Sequence, residues 1–142
     1  MIPQSTVNDI INAMTGKTSY TAPKTVYLGY CANEPNAVTG AVTGEPSSEY
    51  YARLEVRNSY ETFIGDAAGG VVKNSREIRM PVAREDYGTH YYWFLADSKT
   101  GPCFLYGDLY NKNGTKGQAI GLETVPVFYE NQLQASIDVP LT

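Results

Sequence analysis

The side chains able to make or break bonds are few and poorly placed for one another. His90 is the single histidine in 142 residues. A Ser-His-Asp or Cys-His arrangement has only this one base to draw on, and a multi-histidine metal site cannot form. His90 directly precedes the apolar run Tyr91 to Ala96, so it reads as a strand-end residue without chemistry, the alternative being a pH-responsive contact. Cys31 and Cys103 are far apart in the chain and outside any Cys-x-x-Cys spacing. They are expected as two reduced, buried thiols, or else as a disulfide between adjacent strands.

Paired carboxylates could hydrolyse a glycoside, and Glu85, Asp86, Asp108 and Glu123 are the candidates. Neighbouring residues on a strand point to opposite faces, which removes Glu85 with Asp86 as a working pair. Asp108 and Glu123 are left as the best catalytic candidates in a domain whose acids otherwise read as a solvated surface. Gly65-Asp66-Ala67-Ala68-Gly69-Gly70 lacks the Lys-Ser/Thr ending of a phosphate loop, and no helical pattern follows it. Asn113-Gly114-Thr115 matches a glycosylation sequon but sits in a turn cluster and reads as a turn. The expectation is a protein that is not an enzyme, with no cofactor and no metal.

Composition narrows the classes further. Eleven Lys and Arg against 15 Asp and Glu give a formal charge of −4. That balance opposes sequence-independent nucleic-acid binding, which needs a dense basic face to displace counterions from phosphate. Charged residues are 18% and hydrophobic residues 42% of the chain, a globular rather than disordered balance. No apolar run is long enough to span a bilayer, so no membrane partner is expected. Met1-Ile2-Pro3-Gln4-Ser5 has neither the basic region nor the apolar run of a signal peptide. The length suits one domain with an ordinary core.

One segment reads as a helix. Val7, Ile10, Ile11 and Met14 fall at i, i+3, i+4 and i+7, with Ser5 or Thr6 as the cap, Asp9 in the first turn and Gly16 as a left-handed exit. About ten residues are too few for a helix to stand alone in water, so this stripe must pack on its own domain or on a neighbouring subunit. Strand patterns follow. Thr25 to Cys31 places Val26, Leu28 and Tyr30 on one face. Tyr51 to Arg57 alternates Ala52, Leu54 and Val56 against Arg53, Glu55 and Arg57. Tyr91 to Ala96 is apolar on both faces, a central buried strand whose hairpin partner is Cys103 to Tyr106. Val71 to Lys73, Glu77 to Val82, Ala119 to Glu123, Val125 to Tyr129 and Leu133 to Val139 complete seven to nine short strands. The pattern predicts an all-β sandwich or barrel, with residues 1–16 as an N-terminal helix or arm and 17–142 as a single β-sandwich domain.

Two features suggest contact surfaces. The loop from Ala32 to Glu49 is too long for a hairpin turn, and long ordered loops are commonly functional. Twelve tyrosines stand against four Phe and one Trp. Dispersed over Tyr27, Tyr51, Tyr60, Tyr92, Tyr106 and Tyr129 they read as core or subunit contacts; clustered and exposed they would make a saccharide or protein platform. Arg53, in mid-strand, must be paired if its face is covered, and a subunit interface would supply such cover.

The order of segments resembles a widespread family of small tailed-bacteriophage structural proteins. The resemblance runs through Tyr20 to Gly29, Asn33-Glu34-Pro35, Thr43-Gly44-Glu45-Pro46 and Tyr51-Ala52-Arg53. It continues through Ile78 and Pro81, Tyr92 to Asp97, Thr100-Gly101, Leu105 to Leu109, and a closing strand with Leu133 and Ile137. Ser47-Ser48-Glu49 and Arg84 to Gly88 depart from it, both in loops. The resemblance implies a jelly-roll-like antiparallel β-sandwich, a homotrimer mounted on a virion, with the major capsid protein or other virion proteins as partners. Head decoration, binding and stabilising the capsid surface, ranks first. A tail-fibre or receptor- or carbohydrate-binding tail module is the alternative. The candidate attachment or subunit contacts are Val7, Ile10, Ile11 and Met14 on the helix, with Tyr51 and Arg53.

Overall fold

The computed structural model describes residues 1–59, 71–74, 76–130 and 132–136. Helix α1 (Gln4–Met14) precedes ten strands. These are β1 (Thr25–Cys31), β2 (Leu54–Arg57), β3 (Val71–Lys73), β4 (Ile78–Arg79), β5 (Gly88–His90), β6 (Tyr92–Ala96), β7 (Cys103–Asp108), β8 (Gln118–Ile120), β9 (Val127–Phe128) and β10 (Gln134–Ser136). The main sheet has the order β2-β1-β6-β7, every neighbouring pair antiparallel. β3 with β10, β4 with β9 and β5 with β8 form three two-stranded antiparallel ladders. The chain is thus mostly antiparallel β with one short helix. Among the described residues, no helix is long and apolar enough to cross a membrane. Tyr60, the Gly65–Gly70 run and the end of the expected last strand, Ile137 and Val139, lie outside the described residues.

The main sheet is covered on both faces, and the period-2 alternation of its strands sorts the two covers. Val26, Leu28 and Tyr30 of β1, Trp93 and Leu95 of β6, and Leu105 of β7 join Met80, Leu109, Ile120, Phe128 and Leu133 in the larger core. Register places Tyr30 opposite Trp93 and Leu28 opposite Leu95. On the reverse face Cys31, Phe94, Ala96, Cys103 and Tyr106 form a second buried cluster against Val42 of the long loop. This double cover is why β6 is apolar at successive positions, and β6 does lie between β1 and β7. Both thiols are buried and not bonded to one another. Burial pushes Cys31 up to about 12 and Cys103 up to about 11.

Several expected details are corrected. β2 begins at Leu54, not Tyr51. Leu54 and Val56 pack against the larger core, while Ala52 is exposed. α1 starts at Gln4 behind Pro3, with no side-chain cap from Ser5 or Thr6 and no acid in its first turn. Its first amides are satisfied from outside the helix: Gln4 N–H donates to Ala37 O (2.8 Å) and Ser5 N–H to Val38 O (2.9 Å). A helix leaves four such donors open at its start, and here the long loop supplies acceptors for two of them. The exit is as expected, with Gly16 at φ 75°, a left-handed position that favours glycine.

The loop is itself folded onto the sheet. Asn36 Oδ1 accepts from the amides of Val38 and Thr39 (both 2.9 Å), closing a turn. Cys103 N–H donates to Gly40 O at 2.8 Å. Gly40 has φ 75°, and a Cβ there would lie 2.1 Å from Cys103 O, so only glycine permits this approach. Next to it, Met1 pairs in both directions with Tyr106 of β7, the Tyr106 amide donating to Met1 O (2.9 Å) and the Met1 amino group donating back to Tyr106 O.

Candidate functional site

Arg53 lies just before β2, on the second, loop-covered face of the sheet. Its side chain is 2% exposed, and a buried guanidinium must be answered by hydrogen bonds and charge. Nε donates to Glu45 Oε2 (3.1 Å) and Nη2 to Glu45 Oε1 (2.7 Å), a two-pronged ion pair. Nη1 donates to Ser98 O (3.0 Å) and Gly101 O (2.8 Å) in the turn between β6 and β7. The plane sits over the Phe94 ring, 4.7 Å from its centroid. Four of its five N–H donors therefore have partners within the chain. One side chain ties together the long loop, the approach to β2 and the β6–β7 turn.

Tyr51 completes the clamp, its hydroxyl donating to Glu45 Oε2 at 2.8 Å. Burial, then the neighbouring carboxylate, push its phenol far above the usual range. Gly29 makes the space: a Cβ on it would lie 2.4 Å from Phe94 Cζ and 2.8 Å from the Tyr51 hydroxyl. The Tyr51 ring meets Tyr30 edge-on at 5.3 Å and Tyr87 at 6.3 Å, and Tyr30 meets His90 at 5.0 Å. His90 Nε2 donates to Tyr87 O at 2.9 Å, while its buried Nδ1 has no hydrogen-bond partner among the described residues. Desolvation lowers the His90 pKa.

Beside the clamp opens a cleft of about 600 Å³. Its walls come from four segments: Tyr27 on β1, Glu55 on β2, Glu45 and Pro46 on the loop, and Lys99 and Thr100 on the β6–β7 turn. Tyr27 and Glu55 are direct cross-strand partners. Glu45 remains 23% exposed beside its buried partner.

The helical candidates form a different surface. No residue of α1 is buried. Val7 and Ile10 are half-buried, but Ile11 is 50% and Met14 81% exposed. The structure thus separates the six sequence candidates into a helical stripe that is open at Ile11 and Met14 and half-covered at Val7 and Ile10, and an internal clamp of Tyr51 and Arg53. Glu45, the residue that joins Tyr51 to Arg53, was not singled out from the sequence, because a partner across an irregular loop carries no periodic signal. The acids weighed for catalysis are placed apart from this cleft. Asp108 pairs with Lys116 at 3.1 Å, and Glu123 stands exposed in a turn at φ 65°.

A protein-family model described as podophage GP4 fiber I protein gp80 matches residues 2–127. The chain belongs to this family. It is therefore a phage structural protein from a fibre-related family, in agreement with the resemblance read from its segment order. The match takes in α1, the long loop, the clamp and the cleft-lining residues. No curated protein matches the chain.

Proposed function

We propose that this chain is a non-enzymatic fibre subunit of a phage virion. The observation that carries this reading is the family match over residues 2–127, whose description names a fibre protein. That description favours the tail-fibre alternative over head decoration. The β-rich architecture, with a main sheet buried on both faces, suits a rigid virion part, and we read it as a jelly-roll-like sandwich. α1 supplies the association surface. Asp9 is the only charged side chain between Gln4 and Met14, so copies of this helix meet with little charge repulsion. The exposed Ile11 and Met14 give them an apolar seam, and the assembly proposed is a homotrimer.

Antibody-labelled electron microscopy of the intact particle tests the placement. Label confined to the tail is expected. Label spread over the head would overturn the fibre reading in favour of capsid decoration.

A further inference from the structure

We propose that a separate pocket, at the end of β7, binds an uncharged amide group presented by a neighbouring polypeptide. The site does not depend on where the chain sits on the particle. Trp93 of β6 is 1% exposed, and its indole Nε1 is buried with no hydrogen-bond partner among the described residues. Buried donors are nearly always answered, so this one calls for an acceptor from outside. The pocket that Trp93 lines measures about 320 Å³, at the lower end of the range of about 300–1,000 Å³ that small-molecule sites occupy.

Gly107 brings that donor to the pocket. It is the cross-strand partner of Trp93 and shares the lining. A Cβ on Gly107 would stand 2.9 Å from Nε1, Cε2 and Cζ2 of the indole. The bare backbone therefore leaves the N–H edge of the ring facing the space a side chain would fill. Gln132 also lines the pocket. Its Oε1 accepts from the Tyr129 amide at 3.3 Å, which leaves its NH2 group as a second neutral donor. Asp108, Tyr110 and Gln134 complete the lining. Asp108 is ion-paired to Lys116 at 3.1 Å and accepts from the Tyr110 hydroxyl at 3.4 Å, yet its side chain remains 45% exposed.

Two neutral N–H donors beside one carboxylate select the ligand. A carbonyl oxygen has two lone pairs, one for each donor. An amide carries such an oxygen and, next to it, an N–H for Asp108. A carboxylate or phosphate would meet Asp108, and the nearby cation is already shared, since Lys116 donates to the Tyr92 hydroxyl (3.1 Å) as well as pairing with Asp108. A cation would leave both N–H donors unanswered. A saccharide would find no ring face to stack on, because the indole offers its edge while its body is buried in the larger core. The chain is a phage structural protein, and its neighbours in a particle are other polypeptides. A pocket of this size admits a short protrusion, not a folded element. The occupant is therefore a main-chain peptide group, or an Asn or Gln side chain, of an adjacent chain.

The test reads Trp93 itself. It is the single tryptophan of the chain, so the isotope-labelled intact protein gives one indole N–H signal by NMR. N-methylacetamide stands for a main-chain peptide and propionamide for a Gln side chain. Titration with each should move the signal downfield and saturably as the hydrogen bond forms, and the tighter of the two names the source of the amide. Methyl acetate lacks the N–H and should bind at least about fivefold more weakly, because a site built on paired hydrogen bonds rejects the analogue that leaves one unmade. Gln132→Leu should weaken amide binding by a similar factor. Should that variant not fold, the comparison with methyl acetate decides on the wild type alone. Four results would overturn the proposal. These are no movement of the signal with either amide, an equal response to methyl acetate, sodium acetate or glucose, equal affinity in folded Gln132→Leu, or a water contact at the indole proton that persists under saturating amide, which marks an ordered water only.

Discussion

Gly29 and Phe94 are cross-strand partners in the main sheet, and the Phe94 ring occupies the space where a Gly29 side chain would stand, 2.4 Å from the Cβ position. The guanidinium of Arg53 then lies over that same ring. The missing side chain of one residue therefore sets the position of a buried charge on the segment leading into the neighbouring strand.

Gly29→Ala should displace Phe94 and loosen the clamp above it. Overpacking a core commonly costs about 1–3 kcal/mol, and the upper part of that range is expected because the ring is fully buried. Urea unfolding measures it; a midpoint equal to wild type would contradict the geometry.

Glu45→Gln removes the charge that answers Arg53. Breaking a buried pair from one side costs roughly 3–5 kcal/mol. Arg53→Met with Glu45→Gln should be less destabilised than the sum of the two single changes, because neither charge is then stranded. A double-mutant cycle by chemical denaturation reads the coupling, and strict additivity would mean that Arg53 and Glu45 are not energetically coupled.

His90 makes stability depend on pH in a defined direction. Its buried ring has Nε2–H on Tyr87 O and an Nδ1 that is unpartnered among the described residues, and its folded pKa lies below the ordinary 6.5. The unfolded chain therefore binds the proton more readily. The contribution of this residue is constant above pH 6.5 and is lost progressively as pH falls below it, towards the lowered folded value. His90→Phe should flatten that part of the stability profile, and an unchanged slope between wild type and variant would refute the assignment.

The α1 stripe predicts a separation between assembly and folding. Ile11→Asp with Met14→Asp should yield monomers by light scattering while leaving near-ultraviolet circular dichroism close to wild type, since neither residue is buried. Removing residues 1–3 should do the opposite kind of damage, because Met1 is hydrogen-bonded to Tyr106. A stable trimer in the double variant would move the association surface away from the helix.

The parts legible in the sequence were those with a strong local period. β1 occupies Thr25–Cys31 as its alternation indicates, and the β6–β7 hairpin brackets the expected turn. α1 was visible from four apolar positions, whereas its capping was not, since Ala37 O and Val38 O come from a loop more than 20 residues away. Arg53 stood out as a charge that needed a partner. Its answer is Glu45 with two backbone carbonyls, a tertiary arrangement that no spacing rule encodes. The cover of the sheet's second face was hidden for a related reason: it comes from Val42 and a loop without regular structure.

The pairing of Met1 and Gly40 with β7 has a consequence for life in a crowd. β7 is the last strand of the main sheet, and its outward-facing groups at Cys103 and Tyr106 are already taken by the chain's own loop and arm. An open strand end of this type is a template on which identical molecules stack without limit. Capping it internally closes that edge of the sheet to pairing with a second copy of the chain.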